Sequence, residues 1–242
     1  MDPKTIAILA APIATVTLVV MILALVLGAP WYIWFLLPLL IAAILSWYIY
    51  ANADTIVARS VTATAVVPGA EPRYENMVEE LCVRAGLNVP KLFLVDSESI
   101  NAMAWGTGPA KAAIALTKGA VKKLSVVQME GLLAREVGRL RRGDSKVDTL
   151  AVPFIRMPLG PFGKLGEKAM GMLRGNENDA EVDTAAMELT RYPPGLIEAF
   201  IAMKESGDPT SAVGPTSHLW TRRADADTTW SLDDRIALLR EL

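Results

Sequence analysis

The chain has 242 residues, of which 52% are hydrophobic and 21% are charged, with a formal net charge of −2. Its mean hydropathy of +0.33 indicates a membrane segment rather than an unusually large core. The near-balanced charge argues against nucleic-acid binding. One cysteine, Cys82, excludes an intrachain disulfide and a thiolate metal cluster, and one histidine, His218, cannot supply the two or three imidazoles of most catalytic zinc sites.

The first fifty residues carry the apolar excess. Two uncharged runs, residues 6–27 and 31–51, each exceed the roughly 20 residues that a membrane-spanning helix needs, and residues 28–30 separate them. Aromatic side chains, which favour membrane interfaces, lie near both ends of the second run: Trp31, Tyr32, Trp34, Trp47, Tyr48 and Tyr50. The pattern predicts a transmembrane hairpin over residues 1–51. A signal peptide is the alternative for the first run, but another apolar run follows it instead of polar sequence.

The charges that flank the hairpin predict its orientation. Lys4 precedes the two runs, Arg59 follows them, and the short connection between them is uncharged. Because positive residues favour the cytoplasmic side, we expect both ends of the hairpin and the domain after it to be cytoplasmic. The predicted location is the inner or plasma membrane, with the lipid bilayer as one partner.

The segment after the hairpin is predicted to be extended. Residues 52–70 are expected to form a linker or strand, because they are rich in β-branched residues and end at Pro68 and Gly69. Residues 91–96 and 112–117 predict two further short strands.

Two amphipathic helices are predicted from apolar spacing. In residues 71–85 apolar side chains recur at intervals of three and four, with Gly86 placed to end the helix. Cys82 lies on that apolar stripe, so we expect a buried, inert thiol. In the second helix, Ser125 forms a capping box with Gln128 and a glycine, Gly143, ends the helix.

Charged residues interrupt the apolar face of this second helix. Arg135 and Arg139 are four residues apart and share a face, with Glu136 beside them. One interpretation is a solvated basic stripe. Against it, Gly138 is a costly residue in mid-helix unless another element packs closely there.

Six segments, in order, match the motifs of one protease family. They are residues 74–90 (YENMVEELCVRAGLNVP), 100–109 (INAMAWGTGP), 113–121 (AIALTKGAV), 132–144 (LLAREVGRLRRGD), 179–190 (DAEVDTAAMELT) and 232–239 (LDDRIALL). The chain thereby resembles the HtpX-like membrane zinc endopeptidases, gluzincin-type relatives of the CaaX prenyl proteases. The resemblance implies an α+β fold, namely a mainly helical zincin-like peptidase domain with a small β-sheet over residues 71–242, preceded by the two-helix transmembrane hairpin.

The departures from the family concern its zinc site. Arg135 and Arg139 stand where the family's His-Glu-x-x-His motif has its two histidine ligands, and Asp179 aligns with the third ligand, a glutamate. Glu136 matches the family's general base. A guanidinium stays protonated and has no lone pair for a metal, and without the metal nothing acidifies the attacking water. We therefore expect a pseudoprotease with no catalytic residues, no metal and no other cofactor.

The resembled fold brings positions 135, 139 and 179 close to one point. We predict that Arg135 or Arg139 pairs with Asp179 or Glu136 and so replaces the zinc ion by salt bridges, because a guanidinium can hold a carboxylate through two parallel hydrogen bonds. The alternative is that both arginines point into solvent.

A second departure concerns the membrane. Family members usually carry two more spanning helices after the catalytic helix, but residues 146–174 are broken by prolines and glycines. The longest uncharged run there is too short to cross a bilayer. We predict a loop or an interfacial insert for this segment.

These observations favour a non-catalytic membrane protein. The main hypothesis is a scaffold, regulatory or accessory subunit of a membrane complex, which contacts other membrane-protein subunits and no nucleic acid. The docking surface would be a sheet edge that accepts an extended peptide; it is placed at Ala112, Ala113, Ile114, Ala115, Leu116 and Thr117. The alternatives are an active membrane metalloendopeptidase with an unusual or borrowed metal site, and a holdase-like quality-control factor.

Overall fold

The computed structural model describes residues 14, 17–23, 25–28, 30–155, 179–207, 216–223 and 231–241. The chain divides into two compact units, one formed by residues 1–53 and 150–175 and the other by residues 54–149 and 176–242. The described parts are mostly helical and include a small mixed sheet.

The first long helix, α1, runs over Trp31–Ser60 and includes the second predicted span. Within the described residues, Leu36–Ser60 is the one helical stretch long and apolar enough to cross a membrane. Trp47 is 71% exposed and Tyr48 is 54% exposed on this helix. Residues 14, 17–23 and 25–26 are helical and residue 27 lies in a turn. Residues 6–13, 15–16 and 24 of the first predicted span lie outside the described residues, so the hairpin stays a prediction.

Helix α1 extends past its predicted end. Residues 52–60, predicted as the start of a linker or strand, are helical, and only Thr64–Ala65, named β1, is a strand in that segment. The burial pattern explains the difference. Ala53, Val57 and Val61 are all buried at intervals of four, which is the period of a helix face and not of a strand.

The sheet has four strands. After β1 come β2 (Lys91–Val95), β3 (Ala102–Trp105) and β4 (Ala113–Thr117). The spatial order is β1-β2-β4-β3. Strand β2 is antiparallel to β1 and parallel to β4, while β3 is antiparallel to β4. The strands predicted at 91–96 and 112–117 are therefore confirmed, whereas β3 was not predicted as a strand.

The prediction that Ala112–Thr117 is a sheet edge is wrong. Strand β4 has β2 on one side and β3 on the other, and all five of its residues are buried. Its continuous apolar run is typical of a strand covered on both faces. The backbone groups of β4 are used within the sheet, and the edge on this side is β3.

The remaining helices of the described residues are α2 (Pro72–Ala85), α3 (Lys118–Lys123), α4 (Val126–Arg142), α5 (Asp144–Ile155), α6 (Asp179–Thr190), α7 (Pro193–Glu205) and α8 (Leu232–Glu241). The capping box of Ser125 and Gln128 is confirmed at the start of α4. Gly86 and Gly143 end α2 and α4 in the left-handed conformation, with φ of 69° and 80°.

Helix α4 is the centre of the second unit. It packs against α2, α6, α7 and strand β3. It approaches α7 closely at Gly131, where an added Cβ would lie 2.5 Å from the backbone nitrogen of Leu196. At Gly138, where the sequence suggested close packing, an added Cβ would meet its nearest atom, Cβ of Ala185, at 3.9 Å.

The segment predicted as a loop or interfacial insert, residues 146–174, starts within a helix. Helix α5 continues to Ile155 and contains Pro153. Residues 156–174 lie outside the described residues.

Candidate functional site

Helix α4 carries three charged residues into the protein interior. Arg135 is 1% exposed, Glu136 is 0% exposed and Arg139 is 1% exposed. Arg135 and Arg139 therefore do not form a solvated basic stripe. Charges buried this deeply need partners, because desolvation of an unpaired charge costs several kcal/mol (on the order of 3 or more).

The partners of Arg135 are three carboxylates. Its Nε donates to Oδ1 of Asp183 at 2.8 Å, and its Nη2 donates to Oδ1 of Asp179 at 2.6 Å. Its Nη1 donates to Oε1 of Glu136 at 3.0 Å. Since both aspartates belong to α6, one guanidinium joins α4 to α6.

Arg139 points to a different set of acceptors. Its Nη1 donates to the backbone oxygen of Leu219 at 2.6 Å, and its Nη2 donates to Oδ2 of Asp148 on α5 at 3.1 Å. The same Nη1 lies 3.5 Å from Oε2 of Glu136, which is a longer contact. Arg139 thus connects α4 to α5 and to the segment around residue 219.

A third arginine completes the cluster from α8. Arg235 holds Asp183 through two hydrogen bonds, from Nε at 2.7 Å and from Nη2 at 2.8 Å. Its Nη1 donates to the backbone oxygen of Thr221 at 2.9 Å. Its guanidinium carbon also lies 4.2 Å from the ring centre of Phe200, a cation–π contact.

Glu136 accepts hydrogen bonds on both oxygens. Oε1 receives Nη1 of Arg135 and the hydroxyl of Thr221, the latter at 2.6 Å, while Oε2 faces Arg139. Three guanidinium groups and four carboxylates therefore form one buried cluster, which we call the arginine network: Arg135, Arg139, Arg235, Glu136, Asp148, Asp179 and Asp183.

The network shifts the pKa values of Arg135 and Asp179. Burial by itself would lower the pKa of Arg135, but Asp183, Glu136 and Asp179 outweigh burial and raise that pKa above its ordinary value. Burial would raise the pKa of Asp179, but Arg135, followed by Arg235 and other arginines, lowers it below its ordinary value. Both groups are therefore held in their charged forms at neutral pH.

The residues at the family's ligand positions do not fit zinc. Arg135 and Arg139 have no lone pair to donate, and the carboxylate of Asp179 is engaged by Arg135. Among the described residues, no three His, Cys, Asp or Glu side chains are arranged to hold a metal ion. His218 is close in space despite its distance in sequence, since its Nε2 lies 3.0 Å from the backbone oxygen of Asp148, but it is a single imidazole.

Four residues were predicted to form the salt bridges that replace zinc, and the structure brings three of them together. Arg135, Glu136 and Asp179 are in direct contact, while Arg139 reaches Glu136 only through its long contact. Sequence reasoning did not assign site roles to four further residues: Asp148, Asp183, Thr221 and Arg235. Asp183 and Arg235 lie inside the motif segments that carry the family resemblance, so that signal could have found them. Asp148 and Thr221 had no such signal.

Comparison with known proteins gives three informative relatives, each named Protease HtpX homolog. The relative from Polynucleobacter necessarius subsp. necessarius (strain STIR1) is 34% identical over 116 residues, which is 48% of this chain and 40% of the relative. The relative from Bacteroides fragilis (strain YCH46) is 30% identical over 137 residues, 56% of this chain and 41% of the relative. Over these residues the chain is similar to HtpX homologues.

A third relative is likewise matched over only part of its length. It comes from Paraburkholderia phytofirmans (strain DSM 17436 / LMG 22146 / PsJN) and is 30% identical over 150 residues, 62% of this chain and 51% of the relative. The HtpX-like chain thus spans about half the length of the curated relatives that it matches. No protein-family model matches the sequence. The resemblance predicted from the six motif segments is confirmed.

Proposed function

We propose that this HtpX-like chain is a catalytically inactive membrane protein that acts by binding, as a scaffold, regulatory or accessory subunit of a membrane complex. The observation that supports this most directly is the state of the two former histidine positions. Arg135 and Arg139 occupy them, and each donates hydrogen bonds to buried carboxylates. A guanidinium bound in this way supplies neither a metal ligand nor a base.

Glu136 cannot replace the missing chemistry. In a metallopeptidase the metal polarises the carbonyl and acidifies the water that attacks it. Here both oxygens of Glu136 face donors, namely Arg135, Thr221 and Arg139. Arg135 and Thr221 occupy both acceptor sites of Oε1, and without a metal nothing acidifies a water molecule that Oε2 could contact.

The arginine network takes over a structural role that we assign to the lost zinc. A zinc ion held by positions 135, 139 and 179 would join α4 to α6. Arg135 makes the same connection through Asp179 and Asp183. These salt bridges would keep the protein folded without metal. A folded protein can still bind a partner although it has lost hydrolysis.

The proposed location is the membrane. Helix α1 is long and apolar enough to span a bilayer, and leucine side chains on it such as Leu36 and Leu40 are 63% and 58% exposed, which suits contact with lipid. We assign the domain after α1 to the cytoplasmic side, next to other membrane-protein subunits.

Elemental analysis and a peptidase assay test the proposal together. The full chain, purified in detergent, should contain no stoichiometric zinc, and its background cleavage of unfolded protein substrates should not change on adding zinc or a chelator. The matched control is Glu136→Gln, which should leave that background unchanged. One zinc per chain, together with cleavage that Glu136→Gln abolishes, would show an active enzyme and contradict the proposal.

The binding role needs a separate experiment. Purification from native membranes should retain one or more partner subunits at constant stoichiometry, identified by mass spectrometry. Recovery of the chain alone from mild detergent, at all expression levels including the native one, would contradict an accessory-subunit role.

A further inference from the structure

We propose that residues 216–223, which we call the strap, occupy the peptide-docking edge of this protein and must be released before a partner peptide can bind there. The inference rests on the proposed binding function and adds to it the location of the docking edge, its resting occupant and the kind of peptide that it accepts.

The strap pairs with β3 in the way that an added strand does. Strand β3 is bonded to β4 on one side. On its other side Trp220 forms an antiparallel bridge with Met103, and the backbone nitrogen of Thr221 donates to the oxygen of Ala102 at 2.9 Å. At these two positions the strap has the geometry by which an extended peptide binds an exposed sheet edge, whereas Ser217–Leu219 before them form a short 3-10 helix.

A side chain extends this pairing by one more position. Nδ2 of Asn101 donates to the backbone oxygen of Arg222 at 2.8 Å, and the backbone nitrogen of Arg222 donates to Oδ1 of Asn101 at 3.1 Å. The amide of Asn101 therefore offers one donor and one acceptor to the passing chain, as a neighbouring backbone would.

The arginine network holds the other side of the strap. Arg139 donates to the backbone oxygen of Leu219, and Arg235 donates to that of Thr221. The hydroxyl of Thr221 donates to Glu136 at 2.6 Å. Residues Ser217–Leu219 of the strap form a short 3-10 helix, and Trp220 after them is extended. Groups at or beside the former zinc positions thus bind two backbone oxygens and a hydroxyl of the strap, and these are features that many peptides share.

The strap is held less regularly than a strand of the sheet. Strands β2 and β4 are paired at five consecutive positions, from Lys91 with Ala113 to Val95 with Thr117. The strap makes one bridge to the described part of the sheet, and side chains such as those of His218 and Arg222 supply other anchors. The indole nitrogen of Trp220 is buried and has no hydrogen-bond partner within the described residues. An unsatisfied buried donor opposes the closed position. Together with the single bridge to β3, it leads us to expect that the strap is released more easily than the sheet opens.

The contacts of the strap define the peptide that fits the edge. It is extended and antiparallel to β3 at the two positions that pair with β3, and it carries a large apolar residue followed by Ser or Thr there, as Trp220 and Thr221 do. Its two backbone oxygens would accept from Arg139 and Arg235, and its hydroxyl would reach Glu136.

Peptide binding to the full chain in detergent tests the inference. The probe is a fluorescein-labelled synthetic peptide with the sequence of residues 216–223. Thr221→Val keeps the shape of the side chain but removes the hydroxyl that anchors the strap. We expect this variant to bind the probe at least about tenfold more tightly than the wild type, a difference of about 1.4 kcal/mol. The control Thr184→Val removes a hydroxyl that bonds only within α6 and should bind the probe as the wild type does.

Two binding results would overturn the inference: equal affinity of the wild type and Thr221→Val for the probe, or no binding to either. Hydrogen exchange gives an independent measurement, which stays informative if the variant is less stable. In the wild type the Thr221 amide should exchange by local opening, faster than the amides of β4 and with little denaturant dependence. Exchange of the Thr221 amide only together with β4 would show a permanent strand.

The two proposals can fail separately. Zinc content and cleavage decide whether the chain is an enzyme, while probe affinity and exchange at Thr221 decide whether the strap opens. A metal-loaded, active protein with a releasable strap would overturn the proposed function alone. A zinc-free, inactive protein with a permanent strap would overturn this inference alone.

Discussion

Arg135 donates hydrogen bonds from all three of its guanidinium nitrogens, and each bond ends on a different carboxylate: Asp183, Glu136 or Asp179. A lysine could not replace it, because a compact ammonium group lacks the planar fork that reaches three separate acceptors. Removing one side of such a buried arrangement is far more costly than removing an exposed pair, since the remaining carboxylates stay desolvated and uncompensated.

This contrast gives a matched pair of variants. Arg135→Met should lower the free energy of unfolding by about 3–5 kcal/mol, because it leaves Asp179 and Asp183 with one cation fewer. Arg142→Met is the control, since Arg142 also joins α4 to α6, through Glu181 at 2.6 Å, but is exposed; its loss should cost under about 1 kcal/mol. Denaturant unfolding of the full chain in detergent measures both. Equal, small losses would contradict the buried network.

The same cluster predicts a dependence of stability on pH. The pKa of Asp179 is held below its ordinary value by Arg135, against the effect of burial. A carboxyl with a lowered folded-state pKa stabilises the fold above its unfolded pKa of about 3.9, and this contribution is lost as the pH falls through the folded value. Unfolding measured from neutral to acidic pH should therefore show a decline below about pH 4.

Asp179→Asn should remove part of this acid-dependent decline, because the amide does not titrate in that range. Asp96→Asn is the control, since Asp96 pairs with Lys118 on the surface with its side chain 80% exposed. Identical pH profiles for the wild type and Asp179→Asn would show that Asp179 contributes nothing to the acid sensitivity.

At the scale of elements, the packing of α4 against its neighbours depends on Gly131 more than on Gly138. An added Cβ at Gly131 would lie 2.5 Å from a backbone atom of Leu196, and one at Gly195 would lie 2.8 Å from the oxygen of Val127. These two glycines allow the backbones of α4 and α7 to touch. At Gly138, by contrast, a methyl group would make an ordinary van der Waals contact with Ala185.

Two alanine substitutions in the same helix test this difference. Gly131→Ala should destabilise the protein by about 1–3 kcal/mol, because backbone cannot move aside as a flexible side chain can. Gly138→Ala should be neutral or stabilising by up to about 1 kcal/mol, since alanine is the better helix former. Thermal unfolding of both variants in one detergent gives the comparison, and a loss at Gly138→Ala equal to that at Gly131→Ala would contradict the packing.

At the scale of the whole molecule, membrane topology is the open prediction. The flanking charges place the connection near Gly28 outside and the domain after α1 inside. The native cysteine does not disturb a labelling experiment, because Cys82 is buried and burial raises the pKa of its thiol to about 11. At neutral pH such a thiol reacts poorly with maleimides.

Single cysteines introduced at two positions test this topology. In sealed spheroplasts a membrane-impermeant maleimide should label Gly28→Cys, and it should label Lys204→Cys, whose side chain is 55% exposed in the native residue, only after the membrane is opened. The wild type measures the background from Cys82. Labelling of both positions from outside would show that the domain is not cytoplasmic.

The sequence by itself determined the elements whose signals are local. Ser125 and Gln128 mark the start of α4, Gly143 marks its end, and Gly86 ends α2. Each of these signals acts within one turn of the backbone, so it can be recognised without knowledge of distant residues. The order of the six motif segments also determined the HtpX-like resemblance, since motif order along the chain is a property of the sequence alone.

The tertiary structure alone decided the neighbours of those elements. Strand β4 has the same local sequence at an edge or in the middle of a sheet, and its place between β2 and β3 depends on pairing with strands elsewhere in the chain. The partners of the buried arginines were likewise undetermined, because Asp148 and Thr221 reach the site from separate elements. Buried charges must be neutralised by whichever groups the fold brings within hydrogen-bonding distance, and only three-dimensional packing decides which groups those are.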